Sequence, residues 1–293
     1  MKNYFILLRP QQWLKNLFIF LPMFFGAHML EVSYLIPTLV CFTAFCLLAS
    51  SIYCLNDLID ADMDRMHPKK CKRPIASGTI TPAFAYVMIV ILLVAAVTII
   101  LLFFNIETAA KILIVFASYY VLNIAYCFRL KKFPIIDVFI ISICFVLRVV
   151  AGGICTDIWI SQWIVLMVFL LALFLSFAKR HDDLVIYEQT GKMTRKASMQ
   201  YNLDFLNQVI TIIGTITIVC YIMYSFSEEV ILRFNSEHIY LTSIFVLGGI
   251  IRYLQITIVD NGSGNPTMIL MKDHFIQIML LLWILSFGAI IYL

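Results

Sequence analysis

Residues 36–64 read IPTLVCFTAFCLLASSIYCLNDLIDADMD, an apolar run of roughly bilayer-spanning length that ends in an amide and a series of carboxylates. As a helix the apolar part crosses the hydrocarbon core, which sets the acids at a membrane surface. Helical geometry then sorts them. At 100° per residue, Asn56, Asp57, Asp60 and Asp64 fall at about 0°, 100°, 40° and 80°, whereas Asp62 falls near about 240° and points away. Like charges one helical turn apart repel, so an Asn and three Asp on one face ask for a cation. Hard divalent ions take such oxygens, and Mg2+ in particular is held by one or two carboxylates together with substrate phosphates. Asn56, Asp57, Asp60 and Asp64 are therefore candidate Mg2+ ligands. Lys72 and Arg73, followed by Pro74 and an Ala76-Ser77-Gly78 turn, form a candidate anion loop just downstream.

The rest of the chain agrees with a membrane setting. Of its 293 residues 62% are hydrophobic and 13% charged, and the mean hydropathy is +0.97, which excludes an ordinary soluble domain. Spans can be drawn nine times, at about 16–30, 36–55, 83–104, 108–128, 134–151, 161–178, 206–226, 239–257 and 274–292. No linker or low-complexity stretch interrupts them, so one all-α helical-bundle domain over 1–293 is expected. With nine spans and an inner N-terminus, 18 of the 21 Lys and Arg lie on the cytoplasmic side; Lys111 and Arg233 lie outside, and Arg148 within a span. That bias orients the aspartate segment toward the cytosol. The net charge of +4 follows from the same bias and implies no nucleic-acid partner. The eight cysteines contain no C-x-x-C pair and read as small apolar residues. No cleaved signal peptide is expected at the N-terminus.

Two further groups of residues carry chemistry. The longest polar segment, about 179–205, begins where the sixth span ends and is expected to break at Gly191. On a helix Lys179, Arg180, Asp183 and Tyr187 fall at about 0°, 100°, 40° and 80°, one mixed face suited to phosphate, which Arg grips bidentately and Lys neutralises. Arg148 sits mid-span, where a charge needs a polar interior or a partner. Asp137 shares its helical face, offset by about 20° and about 16 Å, too far for direct contact; a structural pairing across the bundle and a substrate contact both remain open for Arg148. In the stretch Arg9-Pro10-Gln11-Gln12-Trp13-Leu14-Lys15-Asn16, the Trp and basic residues read as interfacial anchors. Only Lys15 and Asn16 enter the bundle as candidate substrate contacts.

These motifs resemble a known family. Asn56-Asp57-x-x-Asp60-x-x-x-Asp64 followed by Arg73-Pro74 and Gly78 is similar to the first aspartate-rich motif of the UbiA superfamily of intramembrane prenyltransferases. The resemblance implies a nine-helix bundle with a central cavity and Mg2+-held diphosphate at its cytoplasmic mouth. Members that prenylate aromatic rings carry a second Asp-x-x-x-Asp motif after the sixth span; here Ala178-Lys179-Arg180-His181-Asp182-Asp183-Leu184 has no acid four residues beyond either Asp. Arg9-Pro10-x-Gln12-Trp13-x-Lys15-Asn16, Lys179-Arg180, Leu147-Arg148 with Ala151-Gly152-Gly153, and Arg252-Tyr253 before the Gly262-to-Pro266 loop are instead similar to decaprenyl-phosphate phosphoribosyltransferases.

That likeness implies transfer of 5-phosphoribose from phosphoribosyl pyrophosphate to a polyprenyl phosphate in a bacterial plasma (inner) membrane. Asp57, Asp60 and Lys179 are then the candidate catalytic residues. Lys15, Asn16, Lys72, Arg73, Arg148, Arg180, Asp183 and Tyr187 are the candidate substrate-binding ones. The alternative within enzymes is prenyl transfer from a prenyl diphosphate to an aromatic or other small acceptor. A transporter would place its ionisable residues near the midplane in broken helices, unlike the one-sided distribution here. The oligomeric state is not legible, and an oligomer is compatible with the sequence.

Overall fold

A computed structural model describes residues 6–66, 70–191, 197–264 and 266–292. Lys2, His67, Lys69, Lys192, Arg195, Lys196 and Asn265 lie outside them. The described residues are helical, with no strand among them. Among the described residues seven helices are long and apolar enough to cross a membrane: Val32–Ile59, Pro82–Phe103, Ile106–Phe128, Ile136–Thr156, Gln162–Thr190, Leu203–Ser225 and His238–Ile258. An eighth span results if Pro266–Lys272 and His274–Ile290, bent by 83° at their break, count as one. The expected first span at 16–30 does not appear as such. The segment forms a 3-10 helix, Pro10–Phe20, and a short α-helix, Leu21–Phe25. Pro10 and Pro22 punctuate it, and each begins a helix because it lacks the amide hydrogen that an interior position needs.

The chain divides into two compact units, 1–130 with 144–160, and 131–143 with 161–293. In the first unit the Val32–Ile59 helix packs against Pro82–Phe103, the 3-10 helix and Ile106–Phe128. Lipid takes the place of water outside. Pro82–Phe103 has a mean hydropathy of 3.1 yet only 22% of its span is buried, so Val87, Val90, Val94 and Leu102 form a face for acyl chains. Side-chain caps begin this helix and the next: Thr81 Oγ1 accepts from Phe84 N at 3.3 Å, and Asn105 Oδ1 from Thr108 N at 2.9 Å. Gly152 permits the closest approach. A Cβ there would collide with the Ile19 backbone carbonyl, so only glycine lets the 3-10 helix lie against Ile136–Thr156.

In the second unit Gln162–Thr190 packs against Leu203–Ser225 around Phe174, Phe177, Leu206, Ile210 and Tyr253. The first of these helices ends where the sequence placed its break: Gly191, in the left-handed conformation, donates its N–H to Tyr187 O at 2.8 Å. The bend at Asp273 has its own chemistry. Asp273 Oδ1 caps the last helix by accepting from Ile276 N at 2.9 Å, while Arg252 Nη2 donates to Oδ2 at 2.8 Å.

Candidate active site

The aspartate motif is not one continuous helix. Val32–Ile59 ends just before Asp60, whose φ of −90° and ψ of 1° turn the chain into the short helix Ala61–Arg65. The turn keeps the helical hydrogen bonds, Asp60 N to Asn56 O at 3.0 Å and Asp64 N to Asp60 O at 2.8 Å. Asp57 and Asp64 therefore still converge and are both buried, at 2% and 4% exposure. Asp60 is half-buried between them in sequence. Asp62 points outward and pairs with Arg65 at 2.8 Å. Asn56 Oδ1 accepts from Cys127 Sγ at 3.3 Å.

The basic loop supplies the counter-charge. Arg73 Nη1 lies 2.6 Å from Asp64 Oδ2 and 3.1 Å from Asp57 Oδ1. Its loop is held by Ser77 N to Arg73 O at 2.8 Å, by Thr79 Oγ1 to Pro74 O at 2.9 Å, and by the burial of Ile75 and Ile80 in the apolar cluster around Cys54 and Leu92. Lys72 is exposed on the turn before it. A second guanidinium, that of Arg9, pairs with Asp57 from the N-terminal segment. Arg9 was read from sequence as an interfacial anchor. Periodicity along one helix carries no information about a partner so distant in the chain.

Asn16 and Arg148 come together. Asn16 is fully buried, and its Oδ1 accepts from Arg148 Nε at 2.8 Å while its Nδ2 donates to Cys46 Sγ at 3.1 Å. Arg148 also donates to Cys144 O at 2.6 Å and Tyr119 OH at 3.1 Å, and the rings of Phe45, Tyr119 and Phe145 surround its guanidinium at 5.0 to 5.3 Å. Aromatic faces and neutral oxygens solvate the buried charge, which is the structural pairing left open above. Lys15, the other N-terminal candidate, is half-buried on the 3-10 helix.

In the second unit the face of Gln162–Thr190 is split by burial. Lys179 is exposed, but Arg180 is only 1% exposed, with Nε 3.0 Å from Asp137 Oδ2 and Nη1 2.6 Å from Asp183 Oδ2. Arg180 is thus committed to two carboxylates and does not stand open to grip phosphate as its helical angle suggested. Ser198 Oγ also reaches Asp183, at 3.5 Å. Tyr187, partly buried, packs on the apolar cluster around Phe177. Asp182 faces a different element. A Cβ on Gly264 would overlap its carboxylate, and the adjacent Ser263, fully buried, donates to Ala178 O at 2.7 Å. The glycine-rich loop is therefore seated on this helix.

Residues 17–277 match the model of the UbiA prenyltransferase family. The chain belongs to that family. Similar proteins of the family include the decaprenyl-phosphate phosphoribosyltransferase of Mycolicibacterium smegmatis, 35% identical over 97% of this chain and 91% of that one. That of Corynebacterium glutamicum is 32% identical over 98% and 86%, and that of Mycobacterium tuberculosis 30% over 96% and 92%. Among solved structures, a UbiA homolog from Archaeoglobus fulgidus bound to GPP and Mg2+ superimposes with a TM-score of 0.69 at 18% identity, covering 99% of this chain and all of that one. A UbiA homolog from Aeropyrum pernix gives 0.63 at 14%, over 95% and 96%. This UbiA protein is accordingly a membrane-embedded transferase of that fold.

Its aspartates fit a hard cation by the chemistry of their donors, three carboxylates and an amide oxygen, and by the guanidinium of Arg73 already lodged between two of them. Among the described residues no three Asp, Glu, His or Cys side chains are gathered around one point. Arginine closes the carboxylates.

Proposed function

We propose that this protein transfers 5-phosphoribose from phosphoribosyl pyrophosphate to a polyprenyl phosphate, releasing pyrophosphate, at the cytoplasmic face of a bacterial plasma membrane. The likeness of nearly the whole chain to decaprenyl-phosphate phosphoribosyltransferases carries the choice of donor and acceptor. The missing acid four residues beyond Asp182 or Asp183 supports it against an aromatic acceptor.

Asp57, Asp60 and Asp64, with the Asn56 amide oxygen, would hold Mg2+, which when bound neutralises the charge of the departing pyrophosphate. Arg73 is placed to follow that charge, because its fixed loop holds a bidentate donor at the same carboxylates. The bond from the anomeric carbon to the pyrophosphate oxygen breaks, and an oxygen of the lipid phosphate forms the new one through an oxocarbenium-like transition state. The acceptor is already ionised at neutral pH, since the second pKa of a phosphate monoester is about 6, and so needs no general base. Lys179, exposed on the helix Gln162–Thr190, supplies a point charge for a phosphate group, with Lys15 and Lys72 as further cations. Arg180, paired with Asp137 and Asp183, keeps that part of the helix in place.

The test is transfer of label from ribose-labelled phosphoribosyl pyrophosphate to a polyprenyl phosphate by purified protein in detergent with Mg2+. Lipid-extractable label that disappears with EDTA or in Asp60→Ala is the expected result. Prenyl transfer to an aromatic acid, with no labelled lipid, would overturn the assignment.

A further inference from the structure

Two guanidinium groups meet on one oxygen of Asp57. Arg9 Nη2 and Arg73 Nη1 both address Oδ1, in a carboxylate that is 2% exposed. Arg73 is bound into a loop and shared with Asp64, but Arg9 comes from another segment and is held differently. Its guanidinium lies 5.5 Å from the centre of the Tyr53 ring, and its backbone is left-handed at a φ of 51°. For a residue with a Cβ that conformation costs about 1–2 kcal/mol, and it persists only where its surroundings impose it. The next residue, Pro10, opens the 3-10 helix and removes the freedom to relax forward.

We propose that Arg9 is an exchangeable counter-ion of Asp57, which holds the carboxylate while the metal is absent and passes to a phosphate of the diphosphate once a divalent cation takes that oxygen. The inference rests on the metal-dependent reading above. A guanidinium and a hard divalent cation cannot share Oδ1 without like-charge repulsion, so a metal arriving alone must break the Arg9 pair and leave a partly buried guanidinium without an anion. A diphosphate arriving with the metal supplies that anion, and phosphate oxygens suit the planar fork of Arg better than a single carboxylate oxygen does. Metal and diphosphate therefore favour one another's binding, and by linkage the favour is reciprocal. The site resists metal loading until the donor is present. Arg9 is here a diphosphate-binding residue that the motif spacing could not reveal.

The experiment titrates Mn2+, as an electron paramagnetic resonance probe, onto the purified full chain with and without pyrophosphate. It compares the wild type with Arg9→Met, which keeps the unbranched stem, and with Arg9→Gln, which keeps a donor without the charge. Without pyrophosphate, both variants bind Mn2+ about five- to tenfold more tightly, the release of one partly buried ion pair. After correction for the Mn2+–pyrophosphate complex in solution, the tightening caused by pyrophosphate shrinks in both by a similar factor. Wild-type or weaker Mn2+ affinity in either variant overturns the exchange. That arm contains no donor, so its failure leaves the phosphoribosyl reading standing, whereas absence of Mn2+ binding by the wild type removes the metal site on which both rest.

Discussion

At the scale of single residues, burial decides which charges are structural and which are available. Arg180 and Lys179 are neighbours in sequence, yet one is 1% exposed between two carboxylates and the other is open. Replacing Arg180 with Met removes the guanidinium 3.0 Å from the fully buried Asp137 carboxylate. The expected loss is about 3–5 kcal/mol, read as a lower unfolding midpoint in detergent. Lys179→Ala should leave that midpoint within about 0.5 kcal/mol while raising KM for the phosphoribosyl donor, because its side chain is exposed. Equal losses of stability in the two variants would contradict this division. The sequence makes part of it legible. Asp62 was expected to turn away from Asp57 and Asp64 on helical geometry alone, and it does so, paired with Arg65. The Arg180–Asp137 and Arg9–Asp57 pairs join separate segments, and no local period encodes them.

At the scale of elements, long apolar helices are the easiest feature to read and short irregular ones the hardest. Caps at Thr81 and Asn105 and the stop at Gly191 lie where turn-forming residues meet apolar runs. Hydropathy drew a span through 16–30, but the segment forms a 3-10 helix that turns Asn16 and Ile19 inward and then a short α-helix carrying Pro22. The break at Asp60 escaped for a related reason: carboxylates one turn apart fit a helix and a helical turn equally well. The closeness of the 3-10 helix to Ile136–Thr156 gives a sharp test. Gly152→Val would drive a branched side chain into the Ile19 backbone, with an expected cost of about 1–3 kcal/mol. Gly288→Val, where a Cβ meets open space, should change the unfolding midpoint far less. A smaller effect at Gly152 than at Gly288 would contradict the packing described.

At the scale of the whole molecule, composition and charge bias carry the membrane setting, and the family match confirms it. Orientation is tested with a native thiol. Of the eight cysteines only Cys71, in the basic loop beside the aspartates, is not buried. A membrane-impermeant maleimide should label it in inverted vesicles and not in right-side-out ones; the reverse pattern would place the aspartates on the outer face. The chemistry is tested most directly by the products. Purified protein in liposomes, given polyprenyl phosphate, Mg2+ and both phosphoribosyl pyrophosphate and a prenyl diphosphate with an aromatic acid, is followed by mass spectrometry of the lipid fraction and by pyrophosphate release. The account predicts a phosphoribosylated polyprenyl phosphate in equal amount to pyrophosphate, while the prenyl diphosphate is left intact. A prenylated aromatic acid, with the polyprenyl phosphate unchanged, would contradict it.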